Sequence, residues 1–249
     1  MAKIRFLNGT AIKLIAALFM TIDHIGLLFF PRLLVLRSIG RISFPLFAYM
    51  LAEGCHYTKN KANHFLLVFC LGVLFQIVYG VATGDMSEYN IFLTFSLSIV
   101  GIYSLQYAKE HLFSKGKPFE KVVATVQFPA VIVCLYVLSE KFSFDYGFFG
   151  ILLPLFPSLF DQRYLPENRV TKLLSSSPVK ILLLAIGLYF ICAISPFGKN
   201  AFYAYIAIPI LLLYNGTKGK WNLKYFFYVY YPLHLVLLQG IAMLTFFLN

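Results

Sequence analysis

The chain has 249 residues, of which 60% are hydrophobic, 18% aromatic and only 12% charged, with a formal net charge of +11. An ordinary soluble domain carries roughly 25% charged residues, so this composition cannot cover the surface of a water-soluble fold of the same length. It fits instead an all-α, polytopic integral membrane bundle, and one domain over residues 1–249 is the economical organisation.

Apolar stretches near 11–30, 33–55, 63–82, 89–108, 122–140, 145–161, 179–195, 200–214 and 225–247 predict about nine transmembrane helices. A helix of about 20 residues crosses a hydrocarbon core of about 30 Å. The sixth and eighth stretches are short enough to be half-spans or tilted pieces. The first stretch follows Lys3 and Arg5 but contains Asp23 and His24 and lacks a small-residue cleavage site, so it reads as a retained helix rather than a signal peptide.

Basic residues orient this layout. With the N-terminus in the cytoplasm, fifteen of the 21 Lys and Arg residues fall on the cytoplasmic side, among them Lys3, Arg5, Lys59, Lys61, Lys115 and Lys224. Only Arg32, Lys141 and Lys199 fall outside, while Lys13, Arg37 and Arg41 lie within spans. That asymmetry is the positive-inside rule. The net charge therefore needs no nucleic acid to explain it, although the basic loops 109–121 and 163–180 are also suited to phosphate groups. The cysteines Cys55, Cys70, Cys134 and Cys192 form no CxxC pair or zinc spacing, read as small buried hydrophobes, and predict no metal site.

Ionisable groups within a span are costly and mark a partner, a cavity or a reaction site. The first span holds Asp23 and His24, and the second Arg37, Arg41 and Glu53. Counting about 1.5 Å per residue puts Asp23 and Arg41 each roughly 10–12 Å below the outer boundary. An Asp23–Arg41 ion pair is expected, with Arg37 on the same helical face. Asp23 and His24 point about 100° apart and form no dyad by themselves. The structural alternative is a salt bridge that only locks two helices. Gln76, Asn90, Thr94 and Asp145 lie towards the outer side, and His234 follows Pro232 in the last span, nearer the cytoplasm. His56, His64 and His111 are expected to be solvated. No phosphate-binding loop, dinucleotide fingerprint, zinc-protease helix or serine nucleophile elbow is present in the sequence.

The stretches IDHIG (22–26), IGRISFPLFAYMLAEG (39–54), YNIFLTFSL (89–97), DYGFFGILLP (145–154) and YVYYPLHL (228–235) resemble the TraX family, in order over nearly the whole chain. The founding activity of that family is N-terminal acetylation of a conjugative pilin. The Asp-His pair followed by FPLF also resembles a wider group of membrane-embedded acyltransferases. The resemblance implies acetyl-CoA as co-substrate and an amine or hydroxyl acceptor (peptide, pilin-like or glycan) at a bacterial cell membrane. It directs attention to His24, Asp23 and Arg41 as catalytic groups, with Arg37, Arg41 and His234 binding the donor. In that reading His24 acts as general base or as an acetylated nucleophile. Asp23 orients or charge-balances it, and Arg41 or Arg37 steadies an oxyanion or a CoA phosphate. A different class also fits the same residues: a proton- or anion-coupled transporter with Asp23, His24 and Arg41 in its path. A non-catalytic membrane partner is a third.

Overall fold

A computed structural model describes residues 5–114, 117–195, 198–220 and 223–248; Lys3 and Lys115, counted above as cytoplasmic, lie outside them. The fold is all-α. Among the described residues, seven segments are long and apolar enough to cross a membrane: Gly9–Leu28, Leu34–Tyr57, Lys61–Val81, Ile91–Phe113, Pro118–Lys141, Ser177–Ile194 and Tyr225–Thr245. The predicted sixth and eighth spans are shorter pieces partly wound as 3-10 helix. The chain divides into two compact units, Met1–Met50 with Cys192–Asn249, and Leu51–Ile191.

The first unit opens with α1 (Gly9–Leu28), whose N-cap Asn8 accepts a hydrogen bond from Ala11 N–H. Residues 213–218 cover this helix start: Gly9 N–H donates to Thr217 O at 2.7 Å and Thr10 N–H to Lys218 O at 3.1 Å. Donors that a helix start leaves unpaired are thereby satisfied. Next come α2 (Leu34–Gly40) and α3 (Ser43–Tyr57), interrupted at Arg41 and Ile42. Pro45 explains the break, because it has no N–H for the carbonyl of Arg41 and its ring crowds that carbonyl. Small residues draw α1 and α2 together. A Cβ on Gly40 would overlap the Asp23 side chain, and one on Gly26 would overlap Leu36 Cβ.

The second unit is organised on α5 (Ile91–Phe113), which follows α4 (Lys61–Thr83) and precedes α6 (Pro118–Lys141). Two short strands, β1 (Glu88–Tyr89) before α5 and β2 (Ser143–Phe144) after α6, pair in parallel. Asn90 caps α5 by accepting from Phe92 and Leu93 N–H, while its amide donates to Gly72 O and Gln76 Oε1. Gln76 in turn donates to Glu88 O. Gln76 and Asn90, polar residues at the ends of apolar helices, thus serve a helix cap and a turn.

After β2 the chain runs through α7 (Gly147–Leu152) into the 3-10 helix Leu153–Ser158, where Pro154 and Pro157 each remove an α-helical rung. This segment lies parallel to α5. Thr94 Oγ1 donates to Asp145 O, Ser98 Oγ to Ile151 O, and Lys109 Nζ to Ser158 O. From Thr94 to Lys109 α5 rises about 22 Å. Six α-helical and six 3-10 residues rise about 21 Å, since a 3-10 turn stretches to about 2.0 Å per residue. The thirteen positions from Asp145 to Ser158 therefore keep pace with the fifteen from Thr94 to Lys109. Further on come α8 (Arg169–Leu174) and α9 (Ser177–Ile194).

Back in the first unit, the 3-10 helix Gly198–Ile206 leads into α10 (Ala207–Leu212), a combination that rises about 27 Å by the same count. It ends at the bridge between Tyr214 and Leu7, beside the start of α1. The last helix, α11 (Lys224–Leu248), contains Pro232. All four cysteines are free. Cys55 and Cys192 are buried as expected, but Cys70 and Cys134 are exposed on α4 and α6.

Candidate functional site

Three polar residues of α1 face two different neighbours. Asp23 turns towards α2, and Thr21 and His24 turn towards α11. The 100° step between successive helix residues makes this division.

On the α2 side, Arg37 Nη1 donates to Asp23 Oδ2 at 2.5 Å. Both side chains are 17% exposed. The expected ion pair therefore falls to Arg37, one turn earlier than Arg41. Two facts shift the register. The helices end at Leu28 and begin at Leu34, leaving a longer connection than hydropathy drew. Gly40, three residues after Arg37 on the same face, also admits the Asp23 side chain against bare backbone. Arg41 sits at the C-cap of α2, half-buried, with its backbone N–H bonded to Arg37 O.

On the α11 side, His24 Nδ1 and His234 Nε2 are 2.9 Å apart. His234 is buried, 6% exposed, and its Nδ1 lies 2.9 Å from Tyr230 O. These partners fix the tautomers of the neutral pair. A carbonyl only accepts, so His234 carries its proton on Nδ1 and offers a lone pair at Nε2. His24 must then donate from Nδ1, which leaves the lone pair of its Nε2 uncommitted to this chain of bonds. A parallel ladder supports the contact. Thr21 Oγ1 donates to Ala17 O at 2.9 Å, so the 2.6 Å contact with Tyr230 is a hydrogen bond given by the tyrosine hydroxyl. The Tyr230 ring stacks on His234 with centroids 5.1 Å apart and planes within 9°.

His234 is thus level with His24 rather than nearer the opposite face, as counting from the start of the last span had placed it. The two helices run parallel, Thr21 matching Tyr230 and His24 matching His234. His24 is hydrogen-bonded to His234, while Asp23, expected to orient or charge-balance His24, pairs with Arg37. Spacing did carry a signal for it: Thr21 and His24 at i, i+3, and Tyr230 and His234 at i, i+4, are polar pairs on single faces of otherwise apolar helices.

Two histidines expected in solvent are engaged within the second unit. His56 Nδ1 lies 2.6 Å from Asp161 Oδ2, and His64 Nδ1 lies 2.8 Å from the Tyr103 hydroxyl. His111, at the exposed end of α5, bonds back to Tyr107 O. Lys180 reaches Glu53 at 3.3 Å. Among the described residues no group of three or more His, Cys, Asp or Glu side chains is placed to hold a metal ion.

Comparison with known proteins gives a family match over almost the entire chain. The family described as TraX protein matches residues 8–242. The probable fimbrial assembly protein FimC, serogroup H1, of Dichelobacter nodosus is 26% identical over 247 residues, covering 93% of this chain and 94% of that protein. Uncharacterized protein RP591 of Rickettsia prowazekii (strain Madrid E) is 31% identical over 136 residues, 55% of this chain and 49% of that protein. No solved structure matches the chain.

Proposed function

The chain belongs to the TraX family and is a multi-pass membrane protein, and from that premise we propose that it is a membrane-embedded acetyltransferase using acetyl-CoA. The acceptor is an amine or hydroxyl on a membrane-associated or extracytoplasmic molecule. A pilin-like peptide is the acceptor class favoured by the fimbrial-assembly name of the Dichelobacter relative. The observation that carries the proposal is the hydrogen-bond chain from Tyr230 O through His234 to His24, which leaves the Nε2 of His24 unprotonated between two apolar helices.

In the proposed reaction His24 Nε2 takes the proton of the acceptor N–H or O–H as that atom attacks the thioester carbonyl. The tetrahedral oxyanion collapses, the C–S bond breaks, and the CoA thiolate leaves with the proton that His24 accepted. His234 holds His24 in the productive tautomer and shares the positive charge while the proton is in transit. Arg37 pairs with Asp23, and Arg41, one turn further along the same face, keeps in this proposal the role of steadying the oxyanion.

The same proposal includes nine crossings with the N-terminus in the cytoplasm. The seven long helices supply seven, and the segments 147–158 and 198–212, whose rise approaches that of a full span, supply the sixth and eighth. This is the arrangement that leaves most basic residues on the cytoplasmic side.

The deciding experiment incubates purified protein in nanodiscs with radiolabelled acetyl-CoA and a panel of peptide amines, alongside His24→Ala. Label transferred by wild type and lost in the folded variant supports the reading. Wild type that fails to bind acetyl-CoA sinks it, and proton or anion flux in proteoliposomes would then make the residues part of a transport path.

A further inference from the structure

Within the second unit a cavity of about 730 Å³ opens where three helix ends meet a loop. Thr58, Lys59 and Lys61 come from the turn between α3 and α4, and Glu110, Phe113 and Ser114 from the end of α5. Residues 163–166 close the remaining side. We propose that this cavity is a binding site for a phosphorylated nucleoside, namely the 3′-phospho-adenosine diphosphate end of CoA. The choice of nucleotide rests on the acetyl-transfer reading given above; the case for an anionic nucleoside stands on the cavity.

Charge is the first argument. Lys59, Lys61 and Arg163 line the cavity against the single carboxylate of Glu110, so it attracts anions. Shape and wall chemistry are the second. Small-molecule sites run from about 300 to 1,000 Å³ and combine apolar walls with a few placed polar groups. Here Phe113, Tyr164, Leu165 and Pro166 offer a surface for a base, the cations meet phosphates, and Glu110 accepts from a ribose hydroxyl or an exocyclic amine. A bare phosphate has no use for the aromatic and carboxylate groups.

The walls are also fixed in advance. Lys61 Nζ lies 5.3 Å from the Tyr103 ring centroid and 5.6 Å from that of Tyr164, held between two π faces. Tyr164 donates its hydroxyl to Gln106 Oε1 at 3.3 Å. Asp161 grips the start of the closing loop from both sides, bonding His56 at 2.6 Å and Arg163 N–H at 3.1 Å. A ligand entering such a site pays little for ordering it.

The test uses adenosine 3′,5′-bisphosphate, which lacks both thioester and acetyl group, titrated calorimetrically into protein in phosphatidylcholine nanodiscs. Wild type is expected to bind it, at least tenfold more weakly in the exposed-residue variant Lys59→Gln/Arg163→Gln and again in Lys61→Met, with affinity falling as salt rises. Melting curves establish that each variant is folded. No binding by wild type, or binding untouched by the double variant, overturns the proposal. So does retention of an anionic lipid, seen by native mass spectrometry, that depends on these cations while the bisphosphate does not bind; the cavity is then a lipid-phosphate site. The two readings separate cleanly. Bisphosphate binding without acetyl transfer keeps the cavity and removes the enzyme, whereas His24-dependent transfer with affinity for the bisphosphate unaltered in every variant does the reverse.

Discussion

His24 and His234 stand 210 positions apart in the chain and are joined by one 2.9 Å nitrogen–nitrogen hydrogen bond. Each imidazole constrains the other's proton. If His24 is the base, its removal costs the whole of general-base catalysis, typically about 10²–10⁴-fold in rate. His234→Ala leaves the base but frees its tautomer, and the expected loss is about 10–100-fold, as for other partners that orient a functional histidine. Tyr230→Phe keeps the ring stack and the backbone acceptor and should remain within a few-fold of wild type. Steady-state kinetics of acetyl transfer for the three variants check the order. Equal losses for His24→Ala and Tyr230→Phe would contradict it.

The Asp23–Arg37 pair is expected to behave as a unit. Arg37→Met strands a carboxylate in an apolar helix and should destabilise the protein by about 3 kcal/mol, the lower end for breaking a buried pair. Adding Asp23→Asn should restore part of that loss. Thermal melting of both single variants and the double in one detergent completes the cycle, and additive costs would show that the two side chains do not act together.

Gly40→Ala places a methyl group into the Asp23 side chain. Overpacking of this kind costs about 1–3 kcal/mol and should also lower activity by shifting α1 against α2. A variant as stable and active as wild type would mean that the two helices yield easily here.

Asn90 holds a helix start and a turn together with one side chain. Asn90→Ala should cost about 1–2 kcal/mol, combining a lost cap with an acceptor left unpaired at Gly72 O. Asn90→Asp retains the cap but loses the donor, so its melting temperature should fall between those of wild type and Asn90→Ala.

Asp161 gives a pH-dependent signature. Burial alone raises its carboxyl pKa, but the hydrogen bond and charge of His56, with Arg163 N–H and Lys180, outweigh burial and hold it below the ordinary value. A carboxylate depressed on folding stabilises above its unfolded pKa and loses that contribution as pH falls through the folded one. The stability gap between wild type and Asp161→Asn should therefore be full near neutrality and shrink below about pH 4. A gap that stays constant down to pH 3 would show that the ionised carboxylate is not its source.

The membrane class, the seven long spans and the shortness of segments six and eight were legible in composition and hydropathy. So were the positions that matter on α1, because charge inside an apolar helix has few benign explanations. The partner of Asp23 was not legible to a single turn. Arg37 and Arg41 share a face, and small shifts of the helix boundaries, two residues at the end of α1 and one at the start of α2, are enough to exchange one for the other. The His24–His234 contact was hidden for another reason. It depends on α1 and α11 being neighbours, and nothing local in either helix says which other helix it will touch. Likewise, hydropathy cannot see that the 3-10 turns at Pro154 and Pro157 let thirteen positions reach as far as fifteen.

On the proposed mechanism, placing the two histidines on α1 and α11 also sets the moment at which chemistry becomes available during biosynthesis. A nascent chain halted between Arg37 and α11 already carries both Asp23 and Arg37 yet lacks His234, the partner of the His24 imidazole. On the proposed mechanism, prematurely terminated or frameshifted products reach the membrane disarmed, and only a translated and fully inserted protein draws on the acetyl-CoA pool.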